Sequence, residues 1–513
     1  MEAAKRILEE IRSGRIQTHD QLESAKVKLA GGMPLVKNSQ ISELISRNDG
    51  DYAKLNRFLK IKNIRTASGV ANIAVMWLYD KHENSCPFHC IYCPQGSEQG
   101  PDGLHAIAPK SYTGVEPTTL RAIRNNYDPF LQVNNRIKQL NLIGHPTDKC
   151  ELIIMGGTFM ATPKSFREEF VKRCLDAFNG CEAGSLEEAQ KTNETAANRC
   201  IGLTIETRAD YCSQQQIEQM LALGCTRVEI GVQGVDDEIL EMTKRGHGAK
   251  ANVDAIMRLK ENGMKVCVHW MPGLTGLNGG IDENREAEMF SKLFTEDYMP
   301  DELKIYPTLV IPGTGLHEMW KEGKYVPLSE EQMINLLIEF KKHVPKFVRI
   351  KRVMRDISEH KAEAGAKTTN LRQLAAMRGA KCNCIRCREA GHVGKIEGES
   401  KLNRLDYKAS GGREIFLSYE SSNALFAFLR LRPGETARIR ELHVYGSMVP
   451  ISKKSETDAQ HTGFGRKLME EAERIARENG AKEITVTSGI GVRQYYENLG
   501  YSFEAPYMVK KIQ

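Results

Sequence analysis

The sequence lacks the long apolar runs, the leader segment and the repeats that mark membrane, secreted and solenoid proteins. No stretch reaches the roughly 18 apolar residues that a membrane span needs. The first 20 residues, Met1 to Asp20, are highly charged and have no apolar centre, unlike a secretory signal. No fixed period recurs along the 513 residues. We therefore expect a cytoplasmic protein that does not contact a membrane.

The sequence also lacks the signs of a disulfide framework. The chain has 13 cysteines, an odd number, in a long sequence without a secretory signal. Six of them fall into two tight clusters, and the other seven are scattered singly. We expect the clustered thiols to bind metal and the single ones to be small buried side chains.

A strong overall charge is absent too, since the formal net charge is only +6. The distribution is uneven, however, because residues 346–413 contain 17 Lys and Arg against 7 Asp and Glu. Such a segment either attracts phosphate groups or forms an ordinary solvated surface. The sequence leaves both interpretations open.

A chain of this length is expected to form two or three domains. The pattern of apolar and charged residues changes at three places along it. The first segment contains charged amphipathic helices such as Ala3–Ile11 and ends in the basic residues Lys54, Arg57, Lys60, Lys62 and Arg65. The segments that we predict are residues 1–70, 71–345, 346–405 and 406–513.

Short apolar runs alternate with helical stretches in residues 71–345. The predicted strands are Ile73–Leu78, Leu152–Met155, Ile201–Ile205, Arg227–Ile230, Lys265–His269 and Leu303–Pro307. Strand–helix alternation of this kind predicts a parallel sheet with crossover helices. About six such units indicate a partial or complete α/β barrel, whose site lies at the carboxyl ends of the strands.

The first cysteine cluster follows the first predicted strand. Cys86, Cys90 and Cys93 stand in C-x3-C-x2-C spacing, and a loop this tight can wrap three thiolates around one [4Fe–4S] cluster. Three ligands leave one iron open to a small molecule, as in radical S-adenosylmethionine enzymes. A zinc site completed by His89 or His82 is the alternative, although zinc knuckles usually come as two pairs.

Residues at three consecutive strand ends fit a bound S-adenosylmethionine. Gly156, Gly157 and Thr158 follow one buried strand, and glycines there let the backbone approach an amino group closely. Glu206 ends the next strand and Gln233 the one after it. A glycine at a strand end usually marks only a turn. The prediction of a bound S-adenosylmethionine therefore depends on the three strand ends together.

The second cysteine cluster lies in the basic segment 346–405. Cys382, Cys384 and Cys387 stand in C-x-C-x2-C spacing, with His392 five residues further on. Three thiolates and one imidazole complete a tetrahedral zinc, and such a closed site is structural. We predict a zinc-stapled linker; His360 is the alternative fourth ligand, and a second iron–sulfur cluster is a further alternative.

From residue 406 the pattern predicts antiparallel strands, then a helix that begins near Gly463. Gln460, Gly463 and Gly465 form Q-x-x-G-x-G at the start of this helix, with Phe464 between the glycines and Arg466 after them. Free backbone N–H groups and the helix dipole at such a start suit a pyrophosphate. We therefore predict an acetyl-CoA-binding domain of the GNAT acetyltransferase type.

Two tyrosines and a histidine are the candidate catalytic residues of that domain. Tyr495 and Tyr496 stand on a short helix, where such domains place a hydroxyl group near the thioester, and His443 ends a predicted strand. One of the two tyrosines is expected to be an ordinary core residue. The sequence does not distinguish them.

These elements, in this order, resemble the catalytic subunit of the Elongator complex and its single-chain archaeal and bacterial relatives. The resemblance runs from about Thr66 to the end of the chain. The segments that carry it are Ser111–Thr118, Met155–Met160, Thr204–Tyr211, Asn370–Arg372, Cys384–Glu389, Glu441–Gly446 and Pro506–Lys510. The chain departs from the family pattern at Gln95 and Ser358, and neither change affects a cysteine.

The resemblance implies an enzyme that modifies the wobble uridine, position 34, of tRNA. In that chemistry a 5′-deoxyadenosyl radical takes hydrogen from the methyl group of acetyl-CoA. The carbon radical adds to uridine C5, and loss of CoA with water leaves a carboxymethyl group; the cofactors supply this chemistry and the protein supplies position. The anticodon loop would lie on the basic segments, and the target base would leave its stack.

The resemblance also implies a reductant for the cluster, and it leaves further subunits or a homodimer open. One alternative is a protein lysine acetyltransferase whose barrel is only a scaffold. Another is a tRNA-binding platform without catalytic activity. The first would acetylate a lysine without S-adenosylmethionine, and the second would bind tRNA without turnover.

Overall fold

The structure is a computed structural model that describes residues 2–30, 35–45, 49–51, 55, 59, 68–79, 86–94, 96, 108–445 and 463–512. Among these residues, no helix has the length and apolar character that a membrane crossing requires. The basic residues Lys54, Arg57, Lys60, Lys62 and Arg65 lie outside the described residues, as does Gln460.

Three helices open the chain, and they confirm the helical character predicted for its first segment. Their bounds are Glu2–Arg12, His19–Ala30 and Asn38–Ser42. The apolar stripe of the first helix buries Ile7 and Leu8 against Leu22 of the second helix and Ile41 of the third. This small core is separate from those of the two larger domains.

Seven parallel strands form one sheet among the described residues, in the same order as in the sequence. They are β1 (Ala71–Met76), β2 (Lys149–Met155), β3 (Arg199–Thr207), β4 (Arg227–Gln233), β5 (Lys265–Trp270), β6 (Glu302–Ile305) and β7 (Arg349–Val353). In the described part β1 and β7 are the two edges and do not pair with each other. The sheet is therefore a partial barrel, one of the two forms predicted.

Helices connect the strands, because a parallel strand pair needs a crossover. Ser213 and Gln216 form a capping box at the start of one of them, which fixes where that helix begins. The helices of this domain are Pro117–Arg124, Pro129–Leu142, Lys164–Asn179, Leu186–Asn193, Gln214–Ala222, Asp237–Met242, Ala249–Glu261, Glu283–Lys292, Gly315–Lys321 and Glu330–His343.

The seventh strand lies beyond the boundary predicted at residue 345. β7 has the sequence Arg-Ile-Lys-Arg-Val, and it pairs with β6 through Glu302 and Ile305. The sequence did not predict this strand because its side chains are charged, whereas a buried parallel strand is expected to be a run of apolar residues. Lys351 instead forms an ion pair with Glu302 at 3.3 Å.

The C-terminal domain is a second seven-stranded sheet within the described residues, with the order β13-β14-β12-β11-β10-β9-β8. The strands are β8 (Lys401–Ala409), β9 (Gly412–Glu420), β10 (Leu425–Arg432), β11 (Thr436–Val444), β12 (Glu483–Val486), β13 (Ser502–Glu504) and β14 (Tyr507–Lys511). The remaining helices are Leu371–Met377, Ile385–Arg388, Phe464–Glu478 and Arg493–Glu497.

Strand β11 pairs with β12 only over the first half of β11. The parallel register joins Thr436–Ile439 to Glu483–Val486 and does not continue past Ile439. The second half of β11, which includes His443, is therefore free of β12. A gap between two parallel strands beside a helix N-terminus is a natural place for a ligand.

The C-terminal sheet packs against the amino ends of the barrel strands. Arg440 on β11 forms a bidentate pair with Asp301, the residue before β6, at 2.7 and 2.8 Å. Arg349, the first residue of β7, donates to the hydroxyl group of Tyr445 at 2.8 Å. The two domains therefore meet on the side of the barrel opposite the carboxyl ends of its strands.

Candidate active site at the carboxyl ends of the barrel strands

The first cysteine cluster lines a cavity at the carboxyl ends of the barrel strands. Cys86, Cys90 and Cys93 all face this cavity, which encloses about 1300 Å³ including its open mouth. No fourth cysteine is among the described residues that line it. The position that the sequence predicted for these thiols is confirmed.

The three sulfurs are too far apart for one metal ion. In a group of side chains that could bind one metal ion, all the ligand atoms lie within 4.8 Å of one another. Among the described residues, Cys86, Cys90 and Cys93 do not form such a group. Wider spacing suits a cluster of several irons, whose thiolates bind different metal atoms. Three thiols without a fourth cysteine also leave one iron free, so the residues present fit a [4Fe–4S] cluster better than zinc.

Each thiol has its own polar partner. The hydroxyl group of Thr158 donates to Cys86 at 3.3 Å, and Ser111 is 3.3 Å from Cys93. Cys90 instead faces a guanidinium group, that of Arg245, at 3.7 Å. Burial alone would raise the pKa of Cys90, but the charge and hydrogen bond of Arg245 together with the charge of Arg208 outweigh it, and the pKa is lowered.

Four of the five residues predicted to hold S-adenosylmethionine line the same cavity: Gly157, Thr158, Glu206 and Gln233. The Glu206 carboxylate accepts a hydrogen bond from the hydroxyl group of Tyr112 at 3.1 Å. Gln233 adopts a left-handed backbone with a φ of 67°. Its carbonyl oxygen accepts from Met271, which ties the end of β4 to the end of β5.

Gly156 is not among the residues that line the cavity, so its contact with the cofactor stays a prediction. A β-carbon at Gly156 would lie 2.9 Å from the indole nitrogen of Trp77, and its φ of 132° disfavours other residues. Glycine is needed there because the backbone lies against the buried Trp77 ring. The strand end thus presents Gly157 and Thr158 to the cavity.

A buried ionic group on the cavity floor was missed by sequence reasoning. Glu229 lies 3.0 Å from the imidazole of His269 and forms an ion pair with Lys304, which is itself 3.8 Å from Glu206. The Lys304 ammonium and the His269 ring hold the pKa of Glu229 well below its usual range, although burial opposes them. The position of His269 at the end of β5 is the one signal that the sequence offered.

The helix predicted to bind acetyl-CoA begins at the predicted place. Gly463 is its N-cap with a φ of 76°, and Phe464 is its first residue. The Phe464 ring stacks on Tyr419 at 4.5 Å. Arg466 is exposed, and its nearest acidic partner, Glu470, is 3.9 Å away. The backbone N–H groups of the first turn have no partner within the helix, so they can bind an anion.

The structure separates the two candidate tyrosines. Tyr495 is 39% exposed, and its hydroxyl group would lie 2.8 Å from a β-carbon placed on Gly465, so it faces the start of the helix. Tyr496 is 6% exposed and packs edge-on against Tyr501 in the core. Burial raises the pKa of Tyr495, so its hydroxyl group keeps its proton near neutral pH.

The third candidate catalytic residue, His443, lies on the second half of β11, which pairs with β10 but not with β12. Its ring is 4.3 Å from that of Tyr445 and 6.0 Å from that of Phe428. Burial lowers the pKa of His443, which keeps the imidazole neutral near pH 7. The histidine stands at the interface with the barrel rather than in the cysteine cavity.

The second cysteine cluster is compact. Cys382, Cys384 and Cys387 have their sulfurs within 4.8 Å of one another, and the last two sulfurs are 3.7 Å apart. Thiolates at about 2.3 Å from one tetrahedral zinc are about 3.8 Å apart, so this spacing fits a single ion. The two cysteine triads therefore differ in the way that the sequence predicted.

His392 does not lie with the compact triad in this structure. Its Nδ1 is 2.5 Å from a carboxylate oxygen of Glu389, and the other carboxylate oxygen pairs with Arg349 at 2.5 Å. Its role as the fourth zinc ligand therefore stays a prediction. His360 is not part of the compact triad either, within the described residues.

Much of the basic charge in residues 346–413 is paired with nearby carboxylates. Arg388 pairs with Glu420 at 2.8 Å, and Arg404 pairs with Asp406 at 2.8 Å. Arg413 pairs with the same Asp406. Of the two interpretations that the sequence left open, an extended phosphate-binding surface is the less favoured, because these cations already have partners.

Models of three protein families match the chain. The Radical SAM superfamily matches residues 81–285, the Radical_SAM C-terminal domain residues 300–380, and the Acetyltransferase (GNAT) domain residues 407–511. The first two cover the barrel with its cysteine cavity. The third covers the sheet that carries the tyrosine pair.

Similar proteins match over nearly the whole chain. A tRNA uridine(34) acetyltransferase of Methanocaldococcus jannaschii is 46% identical over 99% of this chain and 97% of its own. Elongator complex protein 3 of Homo sapiens is 43% identical over 97% and 95%. The solved structure of Methanocaldococcus infernus Elp3 lacking its N-terminus (1–46) is 45% identical, with a TM-score of 0.74 over 87% of this chain and 100% of that one.

Proposed function

The chain belongs to the family of tRNA uridine(34) acetyltransferases and Elongator complex protein 3, and from that premise we propose that it modifies wobble uridine 34 of tRNA. The product is a carboxymethyl group on C5, and acetyl-CoA is the source of its two carbons. The observation that carries the proposal is that one chain contains both a three-thiol cavity and an acetyltransferase domain.

The barrel cavity is where the methyl group and the nucleobase meet. A [4Fe–4S] cluster on Cys86, Cys90 and Cys93 together with S-adenosylmethionine supplies, when bound, a radical able to remove a methyl hydrogen. Glu206 holds the amino or ribose group of the bound cofactor. Gly157 allows the backbone to lie close to it. The buried walls exclude water from the reacting groups, which limits side reactions.

The acetyltransferase domain holds the thioester. Gly463, Phe464 and Gly465 present the free N–H groups of the first helical turn to the pyrophosphate, and Arg466 adds a positive charge. Gln460 would extend the same loop. Tyr495, which keeps its proton, donates a hydrogen bond to the thioester or to the departing sulfur.

We expect Tyr495→Phe to lower the rate of CoA release by about 100-fold, the usual effect of losing a general acid. Tyr496→Phe is the matched control, because its hydroxyl group is buried in the core. The measurement is tRNA-dependent release of the CoA thiol. Equal rates for the two variants would assign no chemical role to Tyr495.

The compact triad of Cys382, Cys384 and Cys387 is proposed to hold one structural zinc ion. We expect wild-type protein to carry one zinc per chain in addition to iron, and Cys384→Ser to lose it, because two thiolates bind zinc far more weakly than three. His392→Ala is expected to retain the zinc. Metal analysis by mass spectrometry measures both, and zinc loss in His392→Ala would restore the histidine as a ligand.

The basic residues at the end of the first segment are proposed to contact tRNA phosphates. Reversing the charges of Lys54, Arg57 and Lys60 is expected to weaken tRNA binding and to reduce the slope of log K against log salt by about two to three units. Binding is measured across a salt series. An unchanged slope would indicate that the tRNA phosphates bind to another part of the protein.

One experiment tests the proposed function directly. The protein is loaded with iron and sulfide without oxygen, and formation of 5′-deoxyadenosine is measured with and without acetyl-CoA and tRNA. Dependence on both, together with 5-carboxymethyluridine in the digested tRNA, is the expected result. Acetylation of a protein lysine without S-adenosylmethionine would favour a protein acetyltransferase instead.

A further inference from the structure

Two buried guanidinium groups face a single sulfur of the cysteine cavity. Nη1 of Arg245 is 3.7 Å from Sγ of Cys90, and Nη1 of Arg208 is 3.9 Å from the same atom. Their exposed fractions are 5% and 3%. The chemistry proposed above gives neither arginine a role.

The two arginines are held rigidly, so their position is built into the fold. Arg208 makes a bidentate pair with Asp210 at 2.9 and 3.0 Å, and its Nη2 donates to the carbonyl oxygen of Arg245 at 2.7 Å. Arg245 donates to the carbonyl oxygen of Gly231 at 2.5 Å. From each guanidinium, Nη1 is the atom that faces the Cys90 sulfur.

The charges around Cys90 do not balance without an anion. Arg208 and Arg245 carry two positive charges, and the carboxylate of Asp210 supplies one negative charge. An uncompensated buried charge is costly, and a thiolate at Cys90 supplies the missing one. For the other two thiols, the Thr158 hydroxyl group donates to Cys86 and the Ser111 hydroxyl group lies 3.3 Å from Cys93.

We infer that Arg208 and Arg245 are positioning residues that hold the Cys90 thiolate and raise the reduction potential of the iron–sulfur cluster. The inference rests on the proposed function, because it assumes that a cluster binds at the triad. Net charge and hydrogen bonds to the sulfurs set the potential of such clusters. A fixed cation near one thiolate stabilises the reduced state, which carries one more negative charge.

The test compares Arg245→Met with Arg245→Lys and wild type. Each protein is loaded with iron and sulfide, its iron content is measured, and its cluster is titrated to its midpoint potential by electron paramagnetic resonance without tRNA or acetyl-CoA. Arg245→Met is expected to lower the potential, so that the reduced-to-oxidised ratio at the wild-type midpoint falls about tenfold, or 59 mV for one electron. Arg245→Lys keeps the charge and is expected to shift it less.

Arg352→Met is the matched control, because Arg352 lines the same cavity but pairs with Asp356. We expect it to leave the potential near that of wild type. Loss of iron from folded Arg245→Met but not from Arg245→Lys would also support the inference, since charge then holds the thiolate. Full iron with an unchanged potential in Arg245→Met would overturn it. Wild-type protein that takes up no cluster would instead overturn the proposed function.

Discussion

Cys90→Ala is expected to abolish 5′-deoxyadenosine formation completely. Two thiolates hold a four-iron cube poorly, and the variant also leaves the guanidinium groups of Arg208 and Arg245 without their anion. The iron content after anaerobic loading should fall well below four atoms per chain. Iron analysis and chromatography of the nucleoside product measure the two effects.

Cys181→Ala is the matched control for this variant, because Cys181 is exposed and lies outside both cysteine triads. It should load iron and form product like wild type. Acetyl-CoA binding should survive in Cys90→Ala, since the acetyltransferase sheet is separate from the cavity. A full iron content and normal product formation in Cys90→Ala would disprove the assignment of the cluster to this triad.

Arg440→Met is expected to cost about 3–5 kcal/mol of unfolding free energy, as breaking a buried ion pair from one side does. Arg440 is 1% exposed and binds Asp301 and Glu414, each at 2.8 Å or less. The arginine and Lys260 hold the pKa of Asp301 far below its usual range against the effect of burial. Removing the arginine takes away the shared cation that hydrogen-bonds to both buried carboxylates.

Denaturant unfolding measures this loss, followed by a probe in each domain. The exposed pair of Lys482 and Glu435 provides the control, and Lys482→Ala should leave the midpoint unchanged. A small effect of Arg440→Met would mean that Arg430, which also contacts Asp301, compensates for its loss. The interface would then owe its stability to several redundant ion pairs and not to Arg440 alone.

Six of the barrel strands were predictable because their apolar runs mark them, and the seventh was not. β7 carries Arg349, Lys351 and Arg352, which pair with acidic groups on neighbouring elements. An alternating or apolar pattern cannot reveal a strand whose inward side chains are ionic. For a similar reason, the domain boundary predicted between residues 405 and 406 cuts through the exposed edge strand β8 (Lys401–Ala409). The solvent-facing polar residues of this strand resemble those of a linker.

The site was predictable where its residues are close in sequence. Cys86, Cys90 and Cys93 follow one another in a single loop, and so do the glycines at the start of the acetyl-CoA helix. Arg245 and Cys90 are 155 residues apart, and only the register of the strands brings them together. The contact between His392 and Glu389 spans only three residues, but the spacing of the cysteines gave no sign of it.

The attachment of the acetyltransferase sheet to the amino ends of the strands has a consequence for how the two substrates arrive. A strand of six residues such as Lys265–Trp270 is about 20 Å long. In the proposed reaction, the polynucleotide approaches from one side of this layer and the thioester from the other. The tRNA and acetyl-CoA can therefore be bound at the same time, and neither has to leave before the other enters. How often the acetyl group meets the nucleobase is then governed by the reach of the flexible pantetheine arm more than by the strength of any C–H bond.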